Sequence, residues 1–179
     1  MNLLEKFNIV PKDRHLYDVA FTHGSYGTKH GLDYTYERLE FLGDSVLNMI
    51  VSEYLYKQYP DYEEGKLTKL RANYVCQTAL IYYSHELGLD KHIKIYGDDS
   101  KITENEVLSI TADVFESFLG AIFRITYLYC LPKEFCIPTA KQIFYGITLT
   151  FFQLIFFCFV ISDAWCSITI QVKCHTDNS

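Results

Sequence analysis

The chain has 179 residues, 49% hydrophobic and 21% charged, and a net charge of −6. That length suits one domain with a sizeable core and room for an appendage. The acidic balance excludes a protein that holds nucleic acid by bulk electrostatics alone.

The opening "MNLLEKFNIVPKDRH" carries Glu5 and Lys6 and no apolar run, so it does not read as a secretory signal. Within it "LEKFNIV" is a short apolar-periodic start closed by Pro11. "LYDVAFTHGSYG" follows and ends in turn residues around Gly24 and Gly27. "KHGLDYTYERLEFLGDSVLNMIVSEYLYKQYP" opens as a loop and runs into a long helix. Its predicted apolar stripe is Leu42, Val46, Met49, Ile50 and Leu55, and Pro60 marks its end. "DYEEGKLTKLRANYVCQTALIYYSHELGL" predicts one or two further helices stopped by Gly88, with Cys76 as a core residue. "GDDSKITEN" is a polar loop, and "EVLSITADVFESFLGAIF" is another amphipathic helix. No strand alternation and no repeat is visible, so the expected class is all-α.

Composition changes near residue 124. Residues 1–123 hold 12 Lys/Arg, 19 Asp/Glu and a single cysteine, which fits a reducing, cytoplasmic setting. Residues 124–179 hold 4 Lys/Arg and 3 Asp/Glu, but 5 of the 6 cysteines and 7 of the 13 phenylalanines. The five cysteines show no metal-ligand spacing.

Two acidic groupings stand out against apolar surroundings. In "ERLEFLGDSVL", Glu37, Glu40 and Asp44 sit at i, i+3 and i+7, on one helical face. In "TADVFESFLGA", Asp113 and Glu116 sit at i and i+3. Acidic pairs at this spacing are most often solvated surface. Here both are bracketed by large apolar residues (Leu39, Phe41, Leu42; Val114, Phe115, Phe118, Leu119) and followed by Gly43 and Gly120. Glycine costs about 1 kcal/mol in a helix interior, so close helix packing is the expected reason for both. If the helices lie side by side, Glu40, Asp44, Asp113 and Glu116 converge. Four carboxylates cannot all stay ionised together without cations. All-oxygen ligands select Mg²⁺ or Mn²⁺, and such centres serve phosphoryl chemistry.

These residues carry a resemblance. "ERLEFLGDSVL" resembles the signature of the ribonuclease III family almost letter for letter. "ADVFESFLGAI" is similar to its second acidic motif, "FTHGSY" to its upstream T-H-x-S stretch, and "YEEGKLTKLRANYV" to the helix between them, over roughly residues 3–123. The resemblance implies an all-α, homodimeric endonuclease domain acting on double-stranded RNA, leaving 5′-phosphate and 3′-hydroxyl ends, in ribosomal-RNA maturation or messenger decay. It implies that Glu40, Asp44, Asp113 and Glu116 hold Mg²⁺ (Mn²⁺ substituting), with Asp44 and Glu116 most directly tied to cleavage. Glu37 and Glu64 match secondary acidic positions. Phe41 falls where the family inserts an aromatic into its dimer mate; core packing explains it equally well. Lys66, Lys69 and Arg71 are candidate RNA contacts, and as a solvated helix face they need no function. His23 and Ser25 match a stretch near the RNA, although a buried, hydrogen-bonded histidine explains His23 equally well. The family usually carries a bulkier residue where Gly24 stands. A non-catalytic relative that binds structured RNA or a ribosome is the alternative.

The likeness stops after "FLGAIF". The family continues with an acidic turn, a closing helix and an RNA-binding domain, and none of these is evident in 124–179. Either this stretch is a frameshifted or read-through extension, or "FYGITLTFFQLIFFCFVI" (144–161), 18 residues without a charge, is a membrane anchor. The first is favoured because the flanks lack a basic cluster and an aromatic belt. A missing closing helix is expected to expose the core around Phe118 and Phe123 and to favour aggregation.

Overall fold

A computed structural model describes residues 13–97 and 102–130, with side chains as far as residue 125. The segment "LEKFNIV" and the apolar stretch 144–161 lie outside the described residues. The described elements are six α-helices: α1 (Arg14–Ala20), α2 (Gly24–His30), α3 (Glu37–Gln58), α4 (Glu64–Tyr74), α5 (Gln77–Leu87) and α6 (Glu104–Cys130). A 3-10 turn, Asp90–His92, and an isolated parallel bridge between Thr22 and Lys94 complete them. Among the described residues there is no β-strand, as the missing alternation implied.

Local chemistry sets the helix ends. Asp13 accepts from the His15 N–H at 3.0 Å and opens α1. The Gly31 (φ 64°) and Gly88 (φ 75°) positions end α2 and α5 in the left-handed conformation that glycine adopts without strain. Two sequence expectations fail here. Gly24 and Gly27, read as turn residues, lie within α2, because the His23 ring caps it and Gly27 is buried. A Cβ on Gly27 would stand 3.0 Å from Thr35 Cγ2, so tertiary packing selects glycine there. Cys76 is half-buried at the N-cap of α5 rather than in the core. Its Sγ donates to the Asn73 carbonyl at 3.2 Å.

The core is built around α6, flanked by α3, α5 and α1. Every residue from Ile110 to Ile122 is buried except Asp113 and Glu116. The buried Ser84 hydroxyl of α5 donates to the Thr111 carbonyl at 2.7 Å. The Ser117 hydroxyl donates to the Ala20 carbonyl of α1 at 2.6 Å. These bonds satisfy polar groups that would otherwise be costly to bury. Phe118 is fully buried, its ring 6.0 Å from Tyr17 and 5.8 Å from Phe21. The expected exposure there is therefore corrected: α1 and the residue after it cover Phe118. The compositional change at 124 does not interrupt α6, which runs on to Cys130; no glycine or proline stands in "RITYLYC" to stop it. Among the described residues no helix is long and apolar enough to cross a membrane.

The buried side of α3 is Leu39, Gly43, Val46, Leu47, Ile50, Val51 and Leu55. Met49, on the predicted stripe, stands 41% exposed, and Leu42 only packs against the edge of the core. The predicted stripe shares Val46, Ile50 and Leu55 with the buried side but leans towards Leu42 and Met49 instead of Leu39, Leu47 and Val51.

Candidate metal centre

The crossing of α3 and α6 is set by two glycines. A Cβ on Gly43 would lie 1.8 Å from the Glu116 carbonyl oxygen, and one on Gly120 would lie 2.2 Å from the Leu39 carbonyl oxygen. Both encounters are with backbone, so only glycine lets the two helices touch. This close approach brings Glu40 and Asp44 on α3 beside Asp113 and Glu116 on α6.

Their electrostatics report the crowding. Burial pushes the Glu116 carboxyl up to about 8, and repulsion from Asp44, then Glu40, then Asp113 adds to it. Glu40 is raised by burial, then by Asp113, Glu37 and Asp44. Asp113 is raised by burial, against which a hydrogen bond from Tyr36 and the field of His23 act. The four carboxylates therefore act on one another, and among the described residues His23 is the basic side chain that opposes the crowding, through its field on Asp113. Among the described residues, no three Asp, Glu, His or Cys side chains already stand in a metal-holding arrangement. The donor chemistry nonetheless fits a hard divalent cation: oxygen ligands only, each disfavouring the ionisation of the next.

The remaining candidates separate. Glu37 lies within reach of the cluster, acting on Glu40 and Tyr36, and accepts from the Thr35 hydroxyl. Glu64 does not join it: it is exposed in the first turn of α4 and accepts from Thr68 Oγ1 at 2.8 Å. His23 is half-buried, its Nδ1 3.2 Å from the Ser25 N–H and 2.8 Å from Ser25 Oγ. Ser25 Oγ in turn accepts from the Tyr96 N–H at 3.1 Å. Both residues thus have a structural task at the head of α2. Lys69 is exposed, and Lys66 lies 5.3 Å from the Tyr62 ring. Arg71 points back to α3, donating to Ser52 Oγ at 3.0 Å. Phe41 is 78% exposed, which overturns core packing as its role in the single chain.

Sequence reasoning missed two side chains that touch the cluster. The Tyr36 hydroxyl donates to Asp113 Oδ2 at 3.1 Å, and Asn48 Nδ2 donates to Asp44 Oδ1 at 2.8 Å. The i, i+4 spacing of Asp44 and Asn48 is a readable signal. Nothing local announces that Tyr36 reaches a residue 77 positions away.

Comparison with known proteins gives a consistent answer. The family model described as Ribonuclease-III-like matches residues 13–126. Ribonuclease 3 of Lactiplantibacillus plantarum is 44% identical over 124 residues, 68% of this chain and 53% of that protein. Ribonuclease 3 of Streptococcus gordonii is 44% identical over 122 residues, 67% of this chain and 53% of that protein. The chain spans about half the length of these curated relatives. Among solved structures, the nuclease domain of ribonuclease III from Campylobacter jejuni, described as flexible in a region involved in dimer formation, superposes with a TM-score of 0.67. It is 30% identical, with 86% of this chain and 93% of that one covered. With the motif-bearing helices crossing at Gly43 and Gly120, and a family model spanning nearly all the described residues, the chain belongs to the ribonuclease III family.

Proposed function

We propose that the chain is the catalytic part of a divalent-metal-dependent endoribonuclease that hydrolyses double-stranded RNA to 5′-phosphate and 3′-hydroxyl ends. The observation that carries this reading is Glu116: a carboxyl pushed up to about 8 by burial and by Asp44, Glu40 and Asp113. A fold gains nothing from such mutual repulsion unless a cation relieves it. Glu40, Asp44, Asp113 and Glu116 would hold Mg²⁺, or Mn²⁺ in its place. Bound there, the ion supplies Lewis acidity to activate water and to stabilise the leaving oxygen.

The chain's own residues hold and orient. The glycine crossing fixes how close the two carboxylate pairs come, and the buried flanks of α6 keep Asp113 and Glu116 from turning away. Lys66 and Lys69 supply contacts to the phosphates of an A-form duplex, which proteins read by shape. Phe41, exposed beside the acidic face, is the anchor of a homodimer, so that two centres act on two strands. Ribosomal-RNA maturation or messenger decay in the cytoplasm is the setting that the sequence resemblance to the family implies.

The test is cleavage of an end-labelled RNA duplex in Mg²⁺ by the chain as given and by Glu116→Gln. Site-dependent cleavage by the first and none by the second is expected. If both are inert yet both retain the duplex, the chain is a structured-RNA or ribosome binder instead.

A further inference from the structure

The four carboxylates are not held alike. Tyr36 is 3% exposed, its ring 5.7 Å from that of His23, and its hydroxyl donates to Asp113 Oδ2 at 3.1 Å. A phenol is a neutral donor, so the bond to Asp113 leaves the carboxylate's charge in place. On the other helix Asn48 Nδ2 donates to Asp44 Oδ1 at 2.8 Å and to the Asp44 carbonyl at 3.0 Å. The Asn48 backbone carbonyl accepts from Ser52 Oγ at 2.7 Å and Ser52 Oγ accepts from Arg71 at 3.0 Å, which ties this stretch of α3 to α4. The Glu40 and Glu116 carboxylates accept no hydrogen bond among the described residues.

Each aspartate thus has one oxygen tied to a neutral donor and a second left uncommitted, while each glutamate is untied. Neutral donors suit this task. A cationic one would compete with a metal for the carboxylate, whereas a phenol or an amide orients it without cancelling its charge. From this asymmetry we propose that Tyr36 and Asn48 are positioning residues that pre-orient Asp113 and Asp44 as the fixed ligands of the cation, leaving Glu40 and Glu116 as the adjustable pair. The proposal rests on the metal reading given above.

Mn²⁺ binding to the full chain, followed by electron paramagnetic resonance, tests both and separates them. Wild type is expected to bind, and Glu116→Gln to lose most of that binding; failure of either removes the metal reading itself. With both in place, Tyr36→Phe, which keeps the ring, is expected to bind Mn²⁺ about 10-fold more weakly, the usual scale for an outer hydrogen-bond partner. Asn48→Ala, on the solvent side of α3, provides a second variant with little risk to folding and should weaken binding several-fold. The duplex-cleaving rate of each variant should return to within a few-fold of wild type at saturating Mn²⁺, with the metal-free melting temperature unchanged. Wild-type Mn²⁺ affinity in both variants overturns the proposal, as does a rate loss that saturating Mn²⁺ leaves in place.

Discussion

Gly43 of α3 lies directly against the peptide of Glu116 on α6, with 1.8 Å between the position of a Cβ and the Glu116 carbonyl oxygen. No side-chain rearrangement relieves such a contact, because the atoms met belong to the backbone. Gly43→Ala should therefore part the helices. Overpacking of this kind costs about 1–3 kcal/mol, against a helix-propensity gain of only about 1 kcal/mol. The expected result in urea unfolding is a lower midpoint with an unchanged slope. Mn²⁺ binding should fall in the same variant, since the acidic pairs move apart together with the helices.

The raised carboxyls make metal-free stability depend on pH. Glu116 binds its proton more tightly in the native state, with its pKa about 8 against an ordinary value of 4.5. Its contribution is fully present below about 4.5 and is lost as pH rises through about 8. Glu40 and Asp113 are displaced in the same direction. Asp18, held low by its hydrogen bond from Lys94, acts in the opposite sense but below this window. Chelated protein should thus melt at a progressively lower temperature between about pH 5 and pH 8. Glu116→Gln should flatten that slope, and Mg²⁺ added to the wild type at the alkaline end should restore the melting temperature.

The same variant should show stability and activity moving in opposite directions. Removing the Glu116 charge relieves repulsion with Asp44, Glu40 and Asp113, so metal-free Glu116→Gln should melt higher than wild type at about pH 8. Duplex cleavage should fall at least about 100-fold, which corresponds to about 2.7 kcal/mol of barrier. Parallel melts and single-turnover cleavage check the pair of outcomes.

Phe41 tests the proposed homodimer. An exposed phenylalanine contributes little inside one chain, so Phe41→Ala should change unfolding free energy measured on monomer by no more than about 0.5 kcal/mol. Seated in a partner, the same ring would be worth about 3 kcal/mol, a more than 100-fold rise in the dimer dissociation constant when removed. Sedimentation across a dilution series distinguishes the two.

Arg71 and Lys69 should part company. Arg71 bonds Ser52, so Arg71→Ala is expected to cost about 1 kcal/mol of folding free energy. Lys69→Ala should leave stability alone and reduce the salt dependence of duplex binding by about one unit of slope. Urea titration and binding at several salt concentrations read these out separately.

Much of the arrangement was legible before any coordinates. The spacing of Glu40 with Asp44 and of Asp113 with Glu116 placed each pair on a face, and Gly43 with Gly120 announced the close crossing. These signals are periodic or conformational, and a single sequence carries both kinds. Helix α2 was missed because two glycines in seven residues argue against a helix, and its stability comes from the His23 cap and from packing on Thr35. The part played by Tyr36 was invisible for another reason: a tyrosine between Thr35 and Glu37, just before a helix, gives no local sign that its hydroxyl ends on a residue 77 positions away.

The enclosure of α6 from Ile110 to Ile122, open only at Asp113 and Glu116, has a further consequence. An α-helix advances about 100° per residue, so slipping it by a single position would swing Val114 into water and drive a carboxylate into oil. The azimuth of Asp113 and Glu116 is therefore locked by the greasy side chains on either side of them. Selection acting on that jacket for solubility alone would keep the acidic window aimed at α3, whether or not any cation is present to use it.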